Sequence, residues 1–310
     1  MSTSRDFVGY GENPADIRWP GGARLAVNFV LNVEEGSEYS LEDGDGRSDD
    51  ALTEVAQARV PRGDRDLGAE SMFEYGSRVG LWRLFRLFQN RKIPLTIFAS
   101  ALALERNPSA AQAVRQAVAA GDWDVVCHGR RWIEHYLLDE ATEREEIAQA
   151  VETIERLIGC SPEGWYCRYA PSTATRRLLV EHGGFSYDSD AYNDELPYWV
   201  QVENRPHLVV PYSLVTNDAK LVGGPLVTGR AFGDFLIDAF EVLVAEGDLH
   251  PRMMSIGMHA RILGQPARIV GLHAFLDHIM DRDDVWICRR GDLASHWRSV
   301  VPPPEPLASQ

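Results

Sequence analysis

Short apolar runs and helix-periodic segments alternate along most of this chain, and that rhythm leaves few folds open. Residues 23–33 read Ala-Arg-Leu-Ala-Val-Asn-Phe-Val-Leu-Asn-Val, and further candidate strands lie at 93–100, 125–127, 164–171, 185–190, 208–212, 253–259 and 285–288. Between them, apolar residues recur at three and four over 70–89, 108–120, 139–158, 173–184, 232–246 and 269–280, the spacing of helices that bury one face. A strand, helix, strand order predicts parallel pairing through right-handed crossovers, and hence an α/β fold. The 310 residues exceed a typical domain, but α/β barrels routinely use roughly 250 for one core. The expected organisation is an amino-terminal arm (1–22), one catalytic domain (23–300) and a tail (301–310).

Several of these runs end on ionisable residues: Glu34 (followed by Glu35), His128, Arg168, Asp190 and His259. In parallel α/β folds, ligands gather beyond the carboxyl ends of the strands, so residues at those ends are the candidate site. Alternation along the first strand puts Asn28, Val30, Asn32 and Glu34 on one face, aiming Glu34 into a barrel mouth, with Glu35 also eligible if the strand has ended. His128 stands at a His-Gly turn. The position four further on, where a second metal-ligating histidine would share its helix face, is Trp132, which offers a metal no lone pair. Met253 to His259 repeats the apolar-run-then-histidine pattern, with Arg261 two residues on. Glu34, Glu35, His128, Arg168, Asp190 and His259 are therefore candidate site residues, with Trp132, Tyr169 and Arg261 beside them in sequence. For Arg168 the structural alternative is an ion pair with Asp188 or Asp190.

The formal charge of −15 and pI near 5.0 exclude a general phosphate-backbone binder, and no run approaches 18 apolar residues, so neither nucleic acid nor membrane is an expected partner. Four scattered cysteines form no CxxC pair and signal neither a zinc cluster nor a disulfide framework. With no apolar leader at the amino terminus, a reducing, cytoplasmic location is expected. Residues 37–68 are acidic, lack periodicity and lack calcium-loop spacing; a loop of that length is expected to be functional or disordered.

In order along the chain, Trp19-Pro20-Gly21-Gly22-Ala23-Arg24, Leu31-Asn32-Val33-Glu34-Glu35-Gly36, Glu74-Tyr75-Gly76-Ser77-Arg78 and His259-Ala260-Arg261-Ile262-Leu263-Gly264 resemble the NodB-type polysaccharide deacetylase family, within it the branch of metal-independent allantoinases. The resemblance implies a distorted (β/α) barrel of about seven strands that hydrolyses a carbon–nitrogen bond. In the family's metal-dependent members an aspartate and two histidines in His-x-x-x-His hold a divalent ion; here Glu34-Glu35 and Trp132 stand at two of those places. It further implies metal-independent opening of a small cyclic amide with no cofactor, Glu34 or Glu35 as base, and His128 and His259 as proton carriers or oxyanion donors. Arg168 and Arg261 would stabilise the anion. The resemblance thus divides the candidates into a catalytic set (Glu34, Glu35, His128 and His259) and substrate residues (Trp132, Arg168, Tyr169, Asp190 and Arg261). Homo-oligomers, often tetramers, are usual in the family. The alternatives are a zinc-dependent deacetylase of an N-acetylated sugar and a non-catalytic ligand-binding barrel. Around Arg168 the reading Trp-Tyr-Cys-Arg-Tyr-Ala-Pro-Ser departs from the branch by an inserted residue, which leaves a cyclic imide, another hydantoin-like ring or an acylated amine open beside allantoin as the substrate.

Overall fold

β1 (Leu25–Val33) is buried over its whole length and lies inside a sheet of nine strands. The computed structural model describes residues 5–12, 14–55 and 60–305; the extremes of the expected arm and tail, and residues 56–59 of the long loop, lie outside the described residues. The remaining strands are β2 (Leu95–Ala99), β3 (Trp123–Cys127), β4 (Gly164–Trp165), β5 (Tyr187–Asp188), β6 (Tyr198–Val202), β7 (Arg205–Val209), β8 (Arg252–His259) and β9 (Val285–Ile287). Their order is β6-β7-β5-β4-β3-β2-β1-β8, with β9 also paired to β1. All pairings are parallel except β6 with β7. An isolated bridge from Asn217 to Gly257 ties the chain after β7 to β8, so the distorted barrel closes on one bridge rather than a ladder.

The nine strands exceed the expected number of about seven, and β6 is the one that no candidate run in the sequence marked. It forms a hairpin with β7 through Glu203 and Asn204, whose φ values of 49° and 64° match the mirror-image turn that suits twisted strands. Glu-Asn lacks the glycine that ordinarily announces such a turn. The expected helix 70–89 is three pieces: α1 (Leu67–Tyr75), a π-helical turn Gly76–Gly80, and α2 (Leu81–Arg91). Short helices at Ala101–Arg106 and Lys220–Gly223 and a longer one at Arg290–Val300 were not anticipated from the periodicity. No described helix is long and apolar enough to cross a membrane.

Alternation along β1 separates two cores. Leu25, Val27, Phe29, Leu31 and Val33 pack with Leu84, Phe88 and Phe275 beneath the helices, whereas Ala26 and Val30 join Phe98, Val126, Tyr166 and Tyr212 inside the sheet. Asn28 and Asn32 belong to the inner face and donate to the carbonyls of Met254 (3.2 Å) and Met258 (3.0 Å) on β8, which satisfies amides that would otherwise be costly to bury. Each large side chain of the outer row contributes about 1.5–3 kcal/mol by leaving water. That rigidity is what holds the polar groups at the strand ends.

Candidate active site

The register brings three strand ends to one level. Val33 pairs with Ala99 and Ala99 with Cys127, so Glu34, Ser100 and His128 leave three adjacent strands at one level, while Asn32 pairs with His259. Glu34 Oε1 lies 3.2 Å from His128 Nε2 and 3.4 Å from His259 Nε2. Its Oε2 accepts from Arg261 Nη1 at 2.9 Å. Glu35 turns to the same guanidinium: its Oε1 accepts from Arg261 Nη1 and from the Arg261 backbone N–H, each at 3.2 Å. Gly76 of the π-helical turn is pressed against Glu35; a Cβ there would lie 2.6 Å from Glu35 Oε1. All five groups are buried.

A further set of contacts fixes the imidazoles. His259 Nδ1 donates to Asp218 Oδ1 at 2.6 Å, and Asp218 Oδ2 accepts the backbone N–H groups of His259 (2.7 Å) and Leu263 (3.1 Å). His128 Nδ1 faces the Tyr166 carbonyl at 2.9 Å, and because a carbonyl only accepts, that nitrogen carries a proton. His259 has acceptors at both nitrogens and is best served by the doubly protonated ring. Burial opposes that charge, but Glu34 and Asp218 outweigh it and lift His259 to about 9. Burial also works against the Glu34 anion; His259, Arg261 and the hydrogen bonds outweigh it, holding Glu34 well below the usual carboxylate range. In Glu35 burial prevails, assisted by the Glu34 charge and only partly opposed by Arg261, so its pKa is raised.

These opposed shifts set a pH dependence of stability. His259 passes from 6.5 unfolded to about 9 folded, so its contribution of about 3 kcal/mol is complete below pH 6.5 and is lost as pH rises through 9. Glu34 acts in the opposite sense: its contribution is present above 4.5 and falls away in acid. Urea unfolding across the alkaline window should show the decline, and His259→Asn should flatten it. A stability unchanged between pH 6.5 and 9 in the parent protein would contradict the assigned imidazolium.

The other expected residues divide. Arg168 does not pair with Asp188 or Asp190; its Nη1 and Nη2 donate to Asp49, and Nη1 also to the Trp132 carbonyl at 3.0 Å. Asp188 is already taken by Arg176 (2.6 and 3.0 Å) and His207 (2.9 Å), and so is not free for Arg168. Trp132 is buried with Arg168 3.7 Å and Arg261 4.9 Å from its ring centroid, so the indole adjoins the Glu34 cluster through Arg261. Asp190 accepts from the Cys167 backbone N–H at 3.0 Å and braces that turn; burial and then the Asp188 charge push it up to about 8. Tyr169 is 67% exposed and stands outside the buried cluster. Asp218 and Asp49 are the functional-type residues that periodicity did not select: the first follows an apolar run as Asn217-Asp218, and the second hides among the acids of the long loop.

The donor set does not suit the divalent ion of the metal-dependent deacetylases. One Glu34 oxygen faces two imidazoles and the other a guanidinium, and an indole stands where the second histidine of His-x-x-x-His would be. Among the described residues, no group of three or more His, Cys, Asp or Glu side chains is arranged to hold a metal ion. The positive charge beside Glu34 comes from Arg261 and from His259.

Comparisons with known proteins cover nearly the whole chain. The sequence pattern of the family described as polysaccharide deacetylase matches residues 68–187. A Schizosaccharomyces pombe protein assigned to the polysaccharide deacetylases is 36% identical over 322 residues, spanning 97% of this chain and 99% of that one. A Pseudomonas aeruginosa PAO1 crystal structure assigned to the same group is 45% identical, with a TM-score of 0.90 over 96% of this chain and 99% of that one. The crystal structure of PuuE allantoinase is 44% identical, with a TM-score of 0.91 over 97% and 99% of the two chains.

Proposed function

The chain belongs to the polysaccharide deacetylase family, and from that premise we propose that it opens a cyclic amide (allantoin, a hydantoin or a cyclic imide) by hydrolysis without a metal. Family and neighbours alike indicate a hydrolase of carbon–nitrogen bonds other than peptide bonds. The observation that carries the finer reading is the set of contacts on Glu34: both oxygens are engaged by His128, His259 and Arg261, and the charges of His259 and Arg261 supply what an ion would otherwise bring. The likeness to PuuE allantoinase supports a cyclic ureide or a similar ring as substrate.

Ring opening needs a base for water, donors for the oxyanion and a proton for the departing nitrogen. Glu34, held strongly acidic, is a poor base and serves to orient the two imidazoles. Glu35, with its raised pKa, is the better base: it takes one proton as the water oxygen bonds to the ring carbonyl carbon. Arg261 Nη2 is buried and has no hydrogen-bond partner among the described residues, which makes it a donor for the oxygen as it becomes negative. As the carbon–nitrogen bond breaks, His259, which carries both its protons, delivers one to the nitrogen, and the Glu35 proton restores the resting state. Trp132 excludes water from the flank of Arg261.

The test is turnover of allantoin, hydantoin and succinimide by protein stripped exhaustively with EDTA. Full activity after chelation is expected. Activity lost on chelation and regained with zinc would instead mark a metal-dependent deacetylase. Absence of turnover on every ring and linear amide would favour a non-catalytic barrel.

A further inference from the structure

Glu34, Glu35, His128, His259 and Arg261 are each 5% exposed or less, so no ring-sized molecule reaches them until part of their cover moves. The cover includes residues 37–55, and its side chains are joined to the barrel rim in a consistent way. Asp43 accepts from Arg106 (2.5 and 3.0 Å), Asp45 from Arg131 (2.5 and 2.9 Å), Asp49 from Arg168, and Glu54 from Arg268 (2.5 and 2.9 Å). In every pair the carboxylate comes from the segment and the arginine from elsewhere. We propose that residues 37–55 form a lid latched by these ion pairs, and that its opening both admits substrate and releases Arg168 and Arg261 to hold it.

Two latches reach the reacting groups. Asp49 occupies both terminal nitrogens of Arg168, and the Leu52 carbonyl accepts from Arg261 Nε at 3.2 Å, beside the Nη2 that has no partner among the described residues. Leu52 makes that contact at a φ of 54°, a left-handed conformation that a leucine adopts only under local constraint. An acidic side chain and a carbonyl of the lid thus take the guanidinium positions that the carbonyls of an imide or ureide ring would use, a point that rests on the cyclic-amide reading. The outer pairs are partly solvated: Arg106 is 42% and Glu54 48% exposed at the side chain, so salt screens them and the closed state is poised rather than locked.

Hydrogen–deuterium exchange on the full chain without substrate tests the lid directly. The protected amides of Ser37, Ser40 and Asp49, together with that of Trp132, which donates to the Ser37 carbonyl, should exchange as one cooperative unit. Their common rate should rise several-fold at high salt and in Glu54→Gln, a change to a carboxylate bonded to Arg268, while β1 amides keep their rate. Independent, amide-by-amide rates indifferent to salt and to Glu54→Gln would overturn the lid. Because no turnover is read, a moving lid on a protein inert toward cyclic amides would uphold the lid and reject the substrate. Cyclic-amide turnover with a salt-indifferent segment would do the reverse.

Discussion

Glu35→Gln is expected to lower kcat on a cyclic amide by about a hundred- to ten-thousand-fold while leaving the protein folded, the range set by loss of a general base. The substitution is mild for structure because glutamine keeps the size of the side chain and its amide oxygen can still accept from the Arg261 backbone N–H and Nη1. Glu34→Gln is the harsher change: it strips charge from a carboxylate bonded to Arg261 and facing two imidazoles, leaving buried cations short of a partner at a cost of about 3–5 kcal/mol. The pair thus separates the base from the anchor. A pH–rate profile sharpens the distinction, since a base with a raised pKa places the acid limb of kcat above the ordinary 4.5. Near-parental turnover by a folded Glu35→Gln protein would show that water is activated elsewhere.

Gly80→Ala is the second large effect, and it acts through backbone. A Cβ at Gly80 would lie 2.0 Å from the Ala260 carbonyl oxygen and 2.9 Å from its carbon. Alanine improves intrinsic helix propensity by about 1 kcal/mol, but overpacking of a rigid contact costs about 3 kcal/mol, so the clash wins. The neighbour cannot yield harmlessly, because Ala260 sits between His259 and Arg261, and any retreat moves both. Loss of about 2 kcal/mol in urea unfolding, with an accompanying fall in kcat, is the expected net result. Gly223→Ala, where nothing lies within 4 Å of the added carbon, supplies the control and should stay near parental stability. Equal stability of both variants would mean that α2 can slide away from the loop after β8, and that the close approach is not required.

Where sequence reasoning reached the site, it did so because strands carry a period. Alternation aimed Glu34 inward, and apolar runs ending at His128 and His259 announced their positions; the register then placed both imidazoles within 3.4 Å of one carboxylate oxygen. Arg261 was legible only by its nearness to His259, and Trp132 by the place it takes from a histidine. Asp218 and Asp49 lie in segments with no period, and what gives them meaning is a contact made across the fold: Asp218 with His259, 41 residues on, and Asp49 with Arg168, 119 residues on. The ion pair that was the structural alternative for Arg168 went to Asp49 for the same reason. Nearby acids at 188 and 190 were plausible by sequence distance, but Arg176 and His207 had already claimed one, and the Cys167 turn the other.

By itself the chain's order of apolar runs and helical periods determined an α/β barrel and which strand ends carry ionisable groups, since both follow from local spacing and from the burial that spacing permits. Only the tertiary structure decided how the proton affinities of those groups diverge: that of Glu34 is held low, that of Glu35 is raised and that of His259 is lifted to about 9. Those affinities depend on burial and on distances of a few ångströms between residues far apart in the chain, and no periodicity encodes a distance through space.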